Sequence, residues 1–213
     1  MTDYLTEQEQ IELLKNWIKQ YSAVIIAGVL LAILGITGWR YFQSRETKML
    51  THASAVYDEM LTKRAQNNIQ ETLVQANKLF THYSNTSYSQ LAAFMLARDA
   101  ALNNQTQEAQ KYLSWIMKHS NIPSFRQIAR IRLARILITA QKPDEALRLL
   151  KKQDDKSFNS LINEIKGDAY FAQGNIAMAK LSYKNALDNL PNAEATRPIL
   201  QMKYDNLSTY SSS

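Results

Sequence analysis

The chain has 213 residues, 25 basic and 19 acidic side chains, and a formal net charge of +6. It contains no cysteine, which excludes disulfides, thiolate zinc sites, thiol nucleophiles and cysteine-linked lipids. Only 5 Gly and 4 Pro are present, and these are residues that β-rich folds need at their turns. The composition therefore predicts an all-α protein.

An uncharged stretch lies near the N-terminus, at residues 20–39 between Lys19 and Arg40. A helix of this length spans about 30 Å, the thickness of the hydrocarbon core of a bilayer. The aromatic residues at its two edges, as expected at headgroup depth, are Trp17, Tyr21, Trp39, Tyr41 and Phe42. The run is too long for a typical signal peptide, and bulky residues follow it instead of a cleavage site. We therefore predict an uncleaved transmembrane helix.

The charges beside this span do not decide its orientation. The nearby basic residues are Lys15 and Lys19 before it and Arg40, Arg45 and Lys48 after it. Because the positive-inside rule counts these residues, it is indecisive or slightly favours an outside N-terminus. Residues 1–19 form a short amphipathic tail that continues the helix or lies on the membrane surface.

Three small residues inside the span, Gly28, Ala32 and Gly35, recur at spacings of four and three. These spacings place them on one face of a helix. Such a face allows a second membrane helix to approach closely, although small residues are also common in membrane helices generally. The three residues are candidates for a membrane-helix interface.

A helical repeat follows, after a predicted juxtamembrane linker at residues 40–50. Its clearest unit contains Gly167, Tyr170, Gly174, Ala179, Tyr183, Ala186 and Pro191. These residues and spacings resemble the tetratricopeptide repeat, a pair of antiparallel helices. Earlier units have their packing alanines at Ala146 and Ala109. We predict a solenoid of tetratricopeptide-like helical hairpins over residues 51–207, with an atypical first pair and a small insertion near residues 121–124.

Stacked helix pairs form a curved array whose inner surface, lined by the first helix of each pair, usually binds the partner. The predicted inward positions are Phe94, Arg98, Arg135, Asp168 and Phe171. The two phenylalanines could equally belong to the core, and the charged residues could be merely solvated. These five residues are the candidate partner-binding site.

Basic residues also crowd into one repeat, between residues 126 and 152. Such a patch attracts acidic partners, anionic lipid headgroups or nucleic acid. A solvated basic face is the simplest interpretation of the same pattern. If the patch has a function, a partner protein or the membrane surface is the better candidate.

The residue pattern of an enzyme is missing from the sequence. His52, His82 and His119 lack the helical i, i+4 partner of a zinc motif. No nucleophile elbow, phosphate loop or dinucleotide fingerprint occurs. The paired carboxylates Asp144 and Glu145 lie at a predicted helix start, where the helix dipole explains them. We therefore expect no catalytic residue, metal site or cofactor.

Several stretches together carry a resemblance to a known family. They are the acidic N-terminal tail, GWRYF at 38–42, IRLAR at 131–135, residues 167–174, QMK at 201–203 and NLS at 206–208. With these stretches the chain resembles the YfgM family, the ancillary subunit of the bacterial Sec translocon. The serine-rich end at 208–213 departs from the family pattern, and we expect it to be disordered.

The resemblance implies a single-pass protein of the bacterial inner membrane, with a cytoplasmic N-terminus and a periplasmic repeat domain. The implied partners are the SecYEG channel and a membrane-anchored periplasmic peptidyl-prolyl isomerase chaperone, with unfolded exported proteins as further candidates. A periplasmic domain would not meet nucleic acid. Two other functions fit the same features: an adaptor for cell-envelope assembly, and a stress-response regulator that sequesters a signalling protein.

Overall fold

The computed structural model describes residues 7–191 and 194–210. Across these two ranges the chain forms nine α-helices, one 3₁₀ helix and no strand. The predicted all-α class is therefore confirmed. Contacts divide the chain into two units, Met1–His52 and Ala53–Ser213.

The helices are α1 (Glu7–Ala65), α2 (Ile69–His82), α3 (Ser87–Leu102), α4 (Thr106–His119), α5 (Pro123–Thr139), α6 (Pro143–Leu149), α7 (Asn159–Ala172), α8 (Ile176–Asp188) and α9 (Arg197–Tyr210). The 3₁₀ helix, Lys156–Phe158, directly precedes α7.

The apolar stretch of the first unit lies in α1 and is exposed. Leu31 and Leu34 are 70% and 66% exposed, and the ring of Trp17 lies 5.5 Å from that of Tyr21. Part of α1 is long and apolar enough to cross a membrane, as predicted. Because water disfavours a large exposed apolar surface, this stretch requires a lipid or protein environment.

The predicted juxtamembrane linker and the first residues of the serine-rich end are helical. Residues 40–50, the expected linker, belong to α1, since they contain no Gly or Pro that would end a helix. Residues 208–210 belong to α9, because no Gly or Pro follows Pro198. Residues 1–6 of the predicted tail and 211–213 of the predicted disordered end lie outside the described residues.

The second unit contains successive helical hairpins. The end of α1 pairs with α2, where Met60, Ala76 and Leu79 are buried together. The next hairpins are α3 with α4, α5 with α6, and α7 with α8, and α9 packs against α8. This is the predicted tetratricopeptide-like arrangement, closed by a final helix.

The hairpins share one turn geometry, in which a single residue has a left-handed backbone. These residues are Asn67 (φ 55°), Asn104 (φ 58°), Gln141 (φ 60°) and Gly174 (φ 75°). The N–H of the next residue donates to the carbonyl five positions earlier, for example Gln105 to Ala100 at 2.8 Å and Asn175 to Tyr170 at 2.9 Å. This bond satisfies a carbonyl at the helix end, as in a Schellman motif. The first hairpin is thus a true repeat, although its sequence matches the pattern poorly.

The additional residues predicted near 121–124 are present, but they lengthen the start of α5 and do not form a loop. Only residues 120–122 separate α4 from α5, and Pro123 already begins α5. The additional residues lie in the helix instead, since α5 has 17 residues and α7 has 14. A proline at the first helical position starts a helix well, because its missing N–H would have no partner there.

The contact between α7 and α8 depends on Gly167. A Cβ atom added at this glycine would lie 2.4 Å from two ring carbons of Tyr183. Tyr183 is 3% exposed and belongs to the buried cluster that joins α8 to α9. The absence of a side chain at Gly167 therefore allows the tyrosine to lie directly against the backbone of α7.

We expect Gly167→Leu to lower the free energy of unfolding by roughly 1 to 3 kcal/mol, because the new side chain collides with the Tyr183 ring. The measurement is thermal unfolding of the full chain in mild detergent, followed by far-ultraviolet circular dichroism. In a Tyr183→Ala background the same substitution should cost much less. An equal cost in both backgrounds would contradict the assigned contact.

Candidate partner-binding surface

A group of arginine and aromatic side chains joins α3 to α5, the first helices of two neighbouring hairpins. The Phe94 ring packs edge to face against Phe125, with 5.7 Å between the ring centres. The Arg132 guanidinium lies 4.9 Å from the centre of the Phe94 ring, within the range of a cation–π interaction. Arg98 lies one turn after Phe94, and Arg135 lies three residues after Arg132. We call Phe94, Arg98, Arg132 and Arg135 the arginine cluster.

The positive charges of this cluster form no ion pair within the part of the chain that the structure describes. Arg98, Arg132 and Arg135 are all exposed. The ion pairs within 4.0 Å among the described residues include none of the three. Burial, together with the charges of Arg135 and Arg98, lowers the pKa of the Arg132 guanidinium. Three like charges held this close together favour an anionic ligand.

Asp168, also a predicted partner-binding residue, is engaged within the chain. It occupies the same repeat position as Arg98 and Arg135, directly after a buried small residue. Its carboxylate accepts hydrogen bonds from the Tyr183 hydroxyl at 2.8 Å and from Lys203 Nζ at 2.8 and 3.1 Å. This carboxylate therefore attaches α9 to the hairpin of α7 and α8.

Lys203 completes this attachment, since its Nζ also donates to Glu164 Oε1 at 2.7 Å. Burial alone would lower the pKa of Lys203, but the hydrogen bonds to Asp168 and Glu164 raise it above its ordinary value. Burial and the Asp168 carboxylate raise the pKa of Tyr183. Both donors thus keep their protons at neutral pH.

The two candidate phenylalanines have different environments. Phe94 is partly buried and packs against the central core, which includes Ala93 and Ala97. Phe171, on α7, is 43% exposed. Phe94 therefore joins the Arg132 guanidinium to the core, whereas Phe171 lies at the surface.

The basic patch at residues 126–152 is not one surface. Arg130 is 5% exposed, and both Arg130 and Arg126 form ion pairs with Asp154, with 3.2 Å between Arg126 Nε and Oδ1. The Asp154 N–H donates to Gln127 Oε1 at 2.8 Å. Burial opposes ionisation of Asp154, but the hydrogen bonds from Arg130 and Arg126 hold its pKa below the ordinary value. These arginines attach the segment after α6 to α5.

Arg132 and Phe125 belong to this group of side chains but were not among the residues predicted for the site. Arg132 was visible only as one charge in the basic patch, and Phe125 lies seven residues before it, on the same face of a helix. Their contacts with Phe94 join two different hairpins. No spacing within one helix could have indicated that contact.

The small residues of the membrane stretch are uncovered within the described chain. A Cβ atom added at Gly28 or Gly35 would have no neighbour within 4 Å. Ala32 between them is exposed. No described side chain therefore fills the space beside Gly28 and Gly35.

The described residues contain no cluster of three or more His, Asp or Glu side chains that could hold a metal ion.

The structure combines an apolar helix of membrane-spanning length with a series of hairpins that share a common turn. These features define a membrane-anchored helical-repeat protein. The chain matches the tetratricopeptide repeat-like domain family over residues 15–209 and belongs to that family.

The chain is also similar, over almost its whole length, to proteins named ancillary SecYEG translocon subunit. The relative from Aggregatibacter actinomycetemcomitans is 29% identical over 203 residues, covering 95% of this chain and 98% of the relative. The Neisseria gonorrhoeae relative is 29% identical over 209 residues, covering 97% and 100%. The Escherichia coli relative is 24% identical over 208 residues, covering 98% and 100%. These similarities confirm the resemblance to the YfgM family.

We expect Asp168→Ala and Lys203→Met each to lower the thermal unfolding midpoint, because each removes one side of the bond that holds α9. In a double-mutant cycle the interaction energy between the two changes should be about 1 kcal/mol. This is the upper end of the range for exposed ion pairs, because both side chains are partly buried. The measurement is thermal unfolding of the single and double variants. Purely additive losses would contradict the assigned pairing.

We expect Asp154→Asn to cost roughly 3 kcal/mol at neutral pH, because it leaves the buried Arg130 without its counter-charge. The lowered pKa means that this stabilisation is full above the unfolded value of about 3.9 and is lost as the pH falls through the folded value. The difference between wild type and variant should therefore shrink below about pH 4.

The measurement for this substitution is denaturant unfolding across a pH series. Asp155→Asn is the matched control, because the Asp155 carboxylate accepts hydrogen bonds from the Ser124 hydroxyl and from the hydroxyl and backbone N–H of Ser157, and it forms no ion pair among the described residues. Equal losses for the two variants at neutral pH would show that the ion pair with Arg130 is not the source of the effect.

Proposed function

We propose that this protein is a non-enzymatic ancillary subunit of the Sec translocon. The single observation that carries the proposal is the similarity, over nearly the whole chain, to relatives with that name. The architecture supports it, because an apolar helix of membrane-spanning length precedes a repeat domain of a kind that binds other proteins.

In this proposal α1 anchors the protein in the bacterial inner membrane, with the N-terminus in the cytoplasm and the repeat domain in the periplasm. The stripe of Gly28, Ala32 and Gly35 contacts a membrane helix of the SecYEG channel. This contact is supported by the small size of the three residues and by the open space beside the two glycines, which allow a second helix to approach closely.

The repeat domain then acts as a docking scaffold. Its partners are a membrane-anchored periplasmic peptidyl-prolyl isomerase chaperone and unfolded exported proteins. The arginine cluster supports this role, because it is exposed, unpaired by acidic side chains among the described residues, and carried by the first helices of the repeats. Anchoring raises the local concentration of the domain near the channel, so individual contacts need not be tight.

The test is a pull-down of the full-length protein from its native membrane in mild detergent, with mass spectrometry of the recovered proteins. We expect translocon subunits with the wild type and severalfold less of them with Gly28→Leu. Ala23→Leu is the matched control, because helical spacing places Ala23 on the opposite side of α1. We expect Arg135→Glu to reduce recovery of the chaperone, whereas Arg148→Glu on α6 does not.

Recovery of a different envelope complex and no translocon subunit would overturn the proposed function and favour an assembly adaptor. Unchanged recovery with both Gly28→Leu and Arg135→Glu would reject the assigned contact residues. Neither substitution should unfold the domain, because a Cβ atom at Gly28 meets nothing and Arg135 is exposed.

A further inference from the structure

We propose that a groove between α2 and α4 binds uncharged, apolar segments of unfolded exported chains in an extended conformation. The groove lies on the second helices of the first two hairpins and shares no residue with the arginine cluster. The inference deepens the proposed function, on which it rests for the presence of exported chains near this surface. It assigns a separate site to that substrate and names the segments that the site selects.

The groove consists of two adjoining hollows of about 650 and 840 Å³. The side chains that line both hollows are Ile69 and Leu73 of α2, Leu96 of α3, and Glu108 and Tyr112 of α4. The hollows are therefore parts of one groove, with the buried Leu96 at its floor. Volumes of this size are typical of ligand-binding sites in proteins, so the groove has room for several apolar side chains of a bound segment.

The apolar lining contributed by α2 is exposed. Ile69 is 74% exposed, Leu73 43% and Val74 44%, whereas Ala76 and Leu79 of the same helix are buried in the core. A surface helix needs one apolar face to pack within its own domain, and α2 presents further apolar side chains beside that face. Their exposure to water is unfavourable, and an apolar ligand would cover them.

The charges around the groove are compensated within the chain. Arg64 pairs with Asp99 at 2.7 Å, and Lys111 pairs with Glu108 at 3.4 Å. Among the described residues, these four are the charged side chains that line the two hollows. The lining therefore has no net charge that would attract a charged ligand. It is complementary to an uncharged segment, in contrast to the arginine cluster.

Aromatic rings close one end of the groove. The Phe80 ring of α2 lies 4.7 Å from the ring of Trp115 and 6.1 Å from that of Tyr112, both on α4. Ile69 lies about 16 Å from Phe80 along α2, the length of about five residues of extended chain. A segment that enters near Ile69 therefore reaches the aromatic end with two or three side chains on one side. Aromatic rings favour bulky aliphatic and aromatic partners there.

The polar side chains at the rim favour an extended backbone over a helix. Gln70 and Asn77 of α2 line the groove, as do Asn103 and Gln105 at the turn between α3 and α4. Each side-chain amide carries both donors and an acceptor. An extended segment has backbone N–H and C=O groups that need such partners, whereas a helix satisfies its own except at its ends. The groove thus offers apolar contacts to the side chains of a bound segment and hydrogen bonds to its backbone.

The experiment is photo-crosslinking to the full-length protein in lipid nanodiscs, with mass spectrometry to locate the crosslinked residues. The probe is a short peptide of alternating leucine and serine with one photoreactive leucine at its centre. The matched peptide keeps the photoreactive residue and has serine in place of every other leucine. We expect the crosslinks of the probe to concentrate on α2 and α4 around Leu73 and Tyr112. The matched peptide should give a yield at least about fivefold lower, because it buries less apolar surface.

Leu73→Asn tests the groove itself, and Leu91→Asn is the matched control. Leu73 and Leu91 are 43% and 40% exposed, but Leu91 lies half a turn of α3 away from Ala100, which lines the groove. We expect Leu73→Asn to lower the crosslinking yield about fivefold and Leu91→Asn to leave it unchanged. Both side chains are already exposed, so the thermal unfolding midpoints of the two variants should stay close to that of the wild type.

Equal yields for the two peptides would overturn the inference, as would equal losses for Leu73→Asn and Leu91→Asn. The yield of the probe should also be the same at low and high salt, because the lining has no net charge. A yield that falls steeply with salt would show that charge, and not the apolar lining, holds the peptide, and the inference would then be wrong.

Two other occupants of the groove are tested in the same way. If an amphipathic helical peptide with one photoreactive leucine crosslinks around Leu73 while the extended probe does not, the occupant is a helix and the inference is wrong. A dimer of the full-length protein that Leu73→Asn dissociates would show a second copy in the groove and would also reject it.

The pull-down of the full-length protein separates failure of the inference from failure of the proposed function. Selective crosslinking in the groove without recovery of translocon subunits would reject the proposed function alone. Recovery of translocon subunits without selective crosslinking would reject the inference alone.

Discussion

The close approach of paired helices is the constraint on which the rest of the domain depends. A short hairpin cannot bury its apolar face alone, so it must pack against its own partner helix and against the next hairpin. Small residues make both contacts possible: Ala97, Ala134 and Gly167 are buried on the first helices, and Ala109 and Ala179 are fully buried on the second. The left-handed residue at each turn reverses the chain within three residues and satisfies the carbonyls at the helix end.

This packing also decides where the polar residues lie. Because the small residue faces the seam between helices, the residue that follows it is rotated onto the surface of the first helices. That position holds Arg98, Arg135 and Asp168 in three consecutive repeats. The arginines remain without an acidic partner in the described chain, whereas Asp168 is engaged by Lys203 from α9. One repeat position thus provides the attachment of the final helix at the end of the domain and, in the proposed function, a binding surface in its middle.

The N-terminal part of α1 follows a different physical rule. Its described apolar stretch is exposed, and burying such a surface away from water is favourable. The repeat domain, in contrast, buries its own apolar residues. The two parts therefore have separate tasks in the proposed function: one holds the protein in a bilayer, and the other presents a surface to partner proteins.

The sequence by itself determined the all-α class, the membrane-length helix, the repeat period and the small residue at Gly167, because each of these is a local pattern of hydropathy or spacing. It did not reveal that the first hairpin uses the same turn, since Asn67 and Gly174 reach the left-handed conformation with different side chains. Only the tertiary structure decided the partners of the charged residues. Arg132 over Phe94, Arg130 with Asp154 and Lys203 with Asp168 join segments that are far apart in the chain, and such contacts depend on how the helices pack.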